Sequence, residues 1–295
     1  PIIPANTATA SFPENDEGIF GFGDKGIYGD TIVGMTNLVS NTGVVAADVS
    51  AVGTARKHLA ACEYGGDKGI FGYGTDGSNS NTTNLVSNTG VVASDQAATT
   101  GTARLNIAAC SYGEDKGIFG FGGSPLTGVT NLVSNTGVVA SDTAAVGTAR
   151  YCQAACEYGG DKGIFGFGND GSVCDITNLV SNTGVVASDV TGVGTARQYN
   201  AGCSYGGDKG IFGFGLVASV TGVTNLVSNA GVVASDVAAV GTARYGLAAC
   251  EYGGDKGIFG FAYDETNLVS STGVVASDVA GVGTKRYTLA ACSFN

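Results

Sequence analysis

One histidine, eight cysteines and a scatter of carboxylates are the side chains through which this 295-residue chain can do chemistry. His58 is the only imidazole, so a Ser-His-Asp hydrolase would rest wholly on it. No serine or cysteine stands in a recognisable nucleophile motif. Cleavage of a glycan asks only for two carboxylates flanking one bond. Asp24, Asp30, Asp170, Asp175, Asp264 and Glu265 are available, but nothing in their spacing pairs any two. The stretches Asp76-Gly77-Ser78-Asn79-Ser80 and Asn169-Asp170-Gly171-Ser172 carry hard oxygens without a calcium-loop pattern, and read as Asp-Gly turns.

Six cysteines, Cys62, Cys110, Cys156, Cys203, Cys250 and Cys292, each follow an arginine by six residues. Neither Cys-x-x-Cys nor His-x-x-x-His occurs among them, so they read as small apolar residues crowded near an axis rather than as a metal-binding ring. No metal and no other cofactor is expected. Cys152 and Cys174 stand outside this pattern, at the same end of one unit. A Cys152–Cys174 disulfide is the expectation, and would mark an oxidising compartment or release from the cell. One residue past each recurring cysteine the chain alternates Glu63, Ser111, Glu157, Ser204, Glu251 and Ser293. This hints at duplication of a two-unit block. It would set three carboxylates at threefold spacing near a channel mouth, either solvated or bonded to turn amides, with a cation site as the alternative.

The elements that must position these residues come from a repeat. Gly53-Thr54-Ala55-Arg56 recurs with arginines at Arg104, Arg150, Arg197, Arg244 and Arg286, spaced by 48, 46, 47, 47 and 42 residues. Asp-Lys-Gly-Ile-Phe-Gly and Thr-Asn-Leu-Val-Ser recur in step. A period in the forties belongs to propeller blades or helix pairs. Gly69-Ile70-Phe71-Gly72-Tyr73-Gly74 alternates small and large, and no segment holds a 3.6 period, so strands are expected. Each unit reads as four antiparallel strands: A (56–64), B (69–74), C (83–86) and D (91–95). The expected fold is all-β, a six-bladed propeller over residues 14–295 behind a lead-in at 1–13. The last blade would take strand A from the C-terminus and B to D from the N-terminus.

Composition narrows the function classes. Glycine is 50 of 295 residues, charged residues are 13%, and the net charge is −11. An acidic surface repels phosphate, so no nucleic-acid partner is expected. No apolar run approaches the ~20 residues that span a bilayer, so no membrane insertion is expected either.

Topology gives the propeller two ends. The A–B and C–D turns, nearly identical in every unit, share one end. The B–C loops and the residues just after each arginine share the other, and there the units differ. Ligands bind on loops held by a rigid scaffold, so this variable end is the expected site. Tyr151, Tyr199, Tyr245 and Tyr287, with Asn106, Gln153, Asn200 and Asp170, form an aromatic and amide mixture suited to a sugar. Recurring Arg–Asp pairs, such as Arg150 with Asp142 and Arg197 with Asp189, read as structural, because six copies do not make one asymmetric active site.

Arg104, then Ile107-Ala108-Ala109, then Lys116-Gly117-Ile118-Phe119-Gly120-Phe121-Gly122 resembles the order of a kelch repeat, whose propellers also split one blade between the termini. The double glycine is here Gly-Phe-Gly, and the blade tryptophan is absent. A kelch-like copper oxidase would need two histidine ligands, and one exists. The Thr-Asn-Leu-Val-Ser-Asn-Thr-Gly-Val-Val units also resemble repeats of phage-encoded proteins. These resemblances imply a non-enzymatic propeller, displayed on a virion or another extracellular particle. It would contact a protein assembly or a cell-surface glycan, as a homo-oligomer or a particle-bound chain. A secreted lectin and a glycan-cleaving enzyme are the alternatives.

Overall fold

The computed structural model describes residues 16–26, 31–96 and 101–294. The expected lead-in at 1–13 and Asp30 lie outside them. The described residues form nineteen strands, β1–β19 in chain order, and no helix. They assort into six small antiparallel sheets in a propeller-like arrangement.

Within one unit, β3 (Ala60–Tyr64) pairs β4 (Lys68–Gly72), which pairs β5 (Thr83–Val86). The other inner strands are β6 (Ala108–Tyr112), β9 (Ala154–Tyr158), β12 (Ala201–Tyr205), β15 (Ala248–Tyr252) and β19 (Ala290–Phe294). These touch in succession, and β19 in turn lies against β3. The sixth sheet joins the two ends of the chain: β19 pairs β1 (Glu17–Gly21), and β1 pairs β2 (Thr36–Val39).

Two features differ from the sequence expectation. First, five of the six sheets have three strands; only one gains a fourth, β18 (Val279–Ala280). The expected strand D survives elsewhere as isolated bridges, such as Val86 to Val92 and Thr83 to Gln96. Between those bridges a buried asparagine stands in for the ladder: Asn84 Nδ2 donates to the Ala93 carbonyl at 3.1 Å and to Asp95 Oδ1 at 2.9 Å. Second, strand A begins at Ala60, not Arg56. His58 has left-handed backbone (φ 57°), and its N–H leaves the unit to reach the Thr288 carbonyl.

The core lies between neighbouring sheets. One cluster joins Ala60, Cys62, Ile70 and Tyr73 of one unit to Ile107, Phe119 and Val133 of the next. Glycine makes this approach close enough. A Cβ on Gly72 would stand 2.7 Å from Phe119 Cζ, and one on Gly117 would stand 2.4 Å from Cys62 Sγ. Each recurring cysteine therefore presses its sulfur onto a glycine of the neighbouring sheet. The same contacts cross the seam, Phe20 on Gly260 and Cys292 on Gly69.

Each fully buried arginine lies over an aromatic ring of the preceding unit, for example Arg104 over Tyr73 at 4.5 Å and Arg197 over Phe167 at 3.9 Å. Its carboxylate partner is not the one expected. Arg104 faces Asp142 at 4.0 Å and Arg56 faces Asp95 at 3.5 Å. The pair thus forms within a unit, where the end of the third strand's extension folds back under the arginine. Arg150 and Arg197 likewise act on Asp189 and Asp236, not on Asp142 and Asp189.

Candidate functional site

Two residues past each arginine, all six units leave regular structure in the same way. His58, Asn106, Cys152, Tyr199, Gly246 and Thr288 have φ between 52° and 70°. Left-handed backbone costs a β-branched residue such as Thr288 the most. It turns each N–H toward the preceding unit's carbonyl. His58 donates to Thr288 (2.9 Å), Asn106 to His58 (2.9 Å), Cys152 to Asn106 (3.0 Å), Tyr199 to Cys152 (2.8 Å), Gly246 to Tyr199 (3.0 Å) and Thr288 to Gly246 (2.7 Å). Six backbone hydrogen bonds thus close a circle at the variable end of the axis. Strain alone does not mark function here. A second repeated set, including Phe22, Tyr73 and Phe121, is also left-handed but nearly invariant. The axial circle differs in that its six positions carry six different residue types.

A chamber of about 70 Å3 lies within this circle, between its side chains and the next layer, Leu59, Ile107, Gln153, Asn200, Leu247 and Leu289. Outside it, a pocket of about 280 Å3 is bounded by Asp24, Lys57, His58, Tyr199, Leu216, Tyr245, Tyr287 and Thr288. His58 and Tyr199 face each other across the axis with ring centroids 6.4 Å apart, and Tyr199 meets Tyr245 at 5.8 Å. On the rim, Lys57 Nζ bonds Asp24 Oδ2 at 2.6 Å.

Burial sets the charge state. It pushes the His58 imidazole from 6.5 down to about 4; the nearby Lys57 cation adds to this, and a hydrogen bond to Asn106 opposes it. His58 is therefore neutral at neutral pH. Burial also raises the Cys152 thiol and the Tyr199 phenol far above their ordinary values, and the Tyr199 hydroxyl donates to Cys152 Sγ. The site holds an uncharged imidazole opposite an uncharged phenol–thiol pair.

The expected site residues divide. Tyr199, Tyr245 and Tyr287 line the outer pocket; Asn106, Tyr199, Gln153 and Asn200 line the chamber. Tyr151 lines neither and packs beside Gly123. Asp170 sits in an exposed turn, accepting from the Ser172 N–H at 3.2 Å. The expected disulfide is not formed: Cys152 and Cys174 are both free and buried. Cys152 turns inward to Tyr199, whereas Cys174 lies on β11 (Val173–Val180) beside Arg150. His58, which the sequence offered only as the single imidazole, lies in the circle. The signal for it was present, since Arg+2 is a position where no two units agree.

At the opposite mouth, Glu63, Glu157 and Glu251 alternate with Ser111, Ser204 and Ser293 around a cavity of about 50 Å3. Burial, then the neighbouring Glu63, Asp161 and Glu114 charges, push Glu157 up to about 8. Ser293 Oγ is bonded to the Glu251 backbone.

No family profile and no curated protein matches the chain, so membership of the kelch or phage groups is not shown. Among solved structures the chain is similar to a fungal alcohol oxidase of the AA5 family in complex with copper. That match has 12% identity and a TM-score of 0.56, and covers 93% of this chain. The chain spans 65% of that protein's length, and the likeness is one of fold. The expectation of a non-enzymatic virion or particle component does not stand against this finding, since a solved structure that this fold resembles is that of an oxidase. Copper needs several converging nitrogen, oxygen or sulfur donors. This site offers a single imidazole, its thiol and phenol are bonded to each other, and among the described residues no group of three or more His, Cys, Asp or Glu could hold a metal ion. The residues present do not fit copper.

Proposed function

We propose that the six sheets are blades of a propeller closed through both ends of the chain, and that the variable axial mouth is an active site for a small, uncharged polar compound. One observation carries this reading. Within the variable end of an otherwise repetitive scaffold, the axial circle presents His, Asn, Cys, Tyr, Gly and Thr at six equivalent positions, the asymmetric constellation that chemistry on a single ligand requires. The outer pocket takes the body of the ligand against Tyr245 and Tyr287. Neutral His58, oriented by Asn106, accepts a hydrogen bond or a proton from it. Tyr199 is pinned by Cys152 and supplies the opposite wall. The Lys57–Asp24 pair neutralises both charges at the rim, which suits an uncharged ligand.

The test is ligand-observed NMR on the full chain with a panel of small alcohols, polyols and carboxamides, followed over time for turnover. Compounds that bind the wild type, are converted, and lose both properties with His58→Asn and Tyr245→Ala are the expected result. A panel without binders, or binders indifferent to both substitutions, overturns the reading.

A further inference from the structure

The layer beneath the axial circle is apolar in four units, at Leu59, Ile107, Leu247 and Leu289, and amide in two adjacent ones, at Gln153 and Asn200. Both amides are buried, with 5% and 6% of their surface exposed. Gln153 Nε2 donates to the Gly120 carbonyl at 3.0 Å, which fixes the orientation of its amide and leaves Oε1 without a partner. Asn200 has a partner on neither Oδ1 nor Nδ2. A buried polar atom left unbonded costs about 1–3 kcal/mol, and leucine, which other units carry here, would avoid that cost. Gln153 and Asn200, which carry the three orphan atoms, line the same chamber in two adjacent units, opposite a wall of leucine and isoleucine.

We infer that Gln153 and Asn200 are specificity-determining residues that read the primary carboxamide end of the ligand. This rests on the axial mouth being the ligand site. The inventory of orphan atoms selects the class: two acceptors and one donor. A carboxamide answers all three, with its two N–H groups to Gln153 Oε1 and Asn200 Oδ1 and its carbonyl to Asn200 Nδ2. A hydroxyl has one proton and leaves an acceptor unmet. A carboxylate has none and meets two acceptors with a charge. A cavity of about 70 Å3 is well above the ~10–15 Å3 that one water needs, and below the ~150 Å3 of a benzene-sized cavity. It therefore admits the end of a ligand whose remainder lies in the outer pocket.

The experiment titrates acetamide, ethanol and acetate separately into the full chain. Binding is read by ligand-observed NMR and by the side-chain NH2 resonances of Gln153 and Asn200. The same titrations use Asn200→Leu and Gln153→Leu, which install the leucine that three other units carry here and are expected to fold with an unchanged or higher Tm. Saturable acetamide binding that shifts both NH2 signals, exceeds that of ethanol and acetate, and weakens about tenfold or more in either variant is the expected result. Absence of acetamide binding, equal binding by ethanol, or acetamide binding unchanged in Asn200→Leu overturns the inference. If panel compounds still respond to Tyr245→Ala while acetamide ignores Asn200→Leu, this inference fails and the reading of the mouth as a ligand site stands.

Discussion

Replacing His58 by asparagine tests the electrostatics of the axial circle through stability alone. Asparagine tolerates the left-handed φ of 57° better than most residues, so the backbone hydrogen bond to Thr288 is retained. The folded imidazole titrates near 4 against 6.5 for an unperturbed one, and burial is the leading cause. A depressed folded value means that the unfolded chain takes up the proton first as the pH falls. The neutral imidazole therefore costs nothing above pH 6.5, and stability is lost progressively as the pH falls to about 4. At roughly 1.4 kcal/mol per pH unit the full loss is about 3 kcal/mol. Partial access to solvent at the mouth lowers this to about 2 kcal/mol. Glu157 works in the opposite sense over an overlapping range, so the quantity to follow is wild type minus variant. Urea unfolding at a series of pH values should give a difference that is constant above pH 6.5 and moves by about 2–3 kcal/mol in favour of His58→Asn as the pH falls to about 4. A difference that stays level through that range would refute the burial of a neutral imidazole.

Glu157→Gln should leave stability unchanged below pH 4.5 and raise it progressively toward pH 8, because a carboxyl held up at about 8 in the folded chain costs stability as the unfolded one ionises; the same urea series checks it. Gly72→Ala should lower stability by about 1–3 kcal/mol by driving a methyl into the Phe119 ring, seen as a drop in Tm with the secondary structure intact. The six repeat cysteines should resist alkylation at neutral pH until the chain is unfolded, since burial raises their thiols and each sulfur is packed against a glycine; mass spectrometry of native and denatured samples decides. Asp142→Ala should destabilise by about 1–3 kcal/mol, because the Thr102 N–H, Thr102 Oγ1 and Asn131 Nδ2 all donate to that carboxylate. The loss should fade at pH values below 3.8 as the wild-type carboxylate takes up its own proton.

Much of the architecture was legible in the sequence because the repeat prints it six times. The glycine alternation around Ile70 and Phe71 marked a tightly packed strand, and the phase of the units placed β19 beside β1. The parts that were not legible are those where a side chain replaces the backbone or a contact skips along the chain. Asn84 takes over the bonds of a fourth strand, and nothing in the motif Thr-Asn-Leu-Val distinguishes that asparagine from a ladder residue. Arg104 could meet an aspartate before or after it, and only the fold-back of residues 139–142 selects the later one. The disulfide failed for a similar reason. Cys152 and Cys174 share one end of a unit, but the strand carrying Gly168 and Asn169 lies between them. At the site, the variable positions were visible, but not that a left-handed kink two residues past each arginine decides which of them line the axis. Hence Tyr151, one residue from the circle, is outside it, and His58 is within.

The seam between β19 and β1 is made of the same contacts as the other five junctions, yet its two strands are the most distant in the chain. Arg286 bonds Asn37 across 249 positions, and Thr284 bonds Asp48 across 236. During synthesis, five sheets can assemble on the ribosome while β1 and β2 wait without an inner strand. Until β19 emerges, β1 keeps an open strand edge beside Ile19 and Phe20, residues that the finished chain buries completely. Such edges recruit other chains. Yield should therefore depend less on final stability than on how quickly the last strand arrives, and on whatever shields the first sheet in the interval.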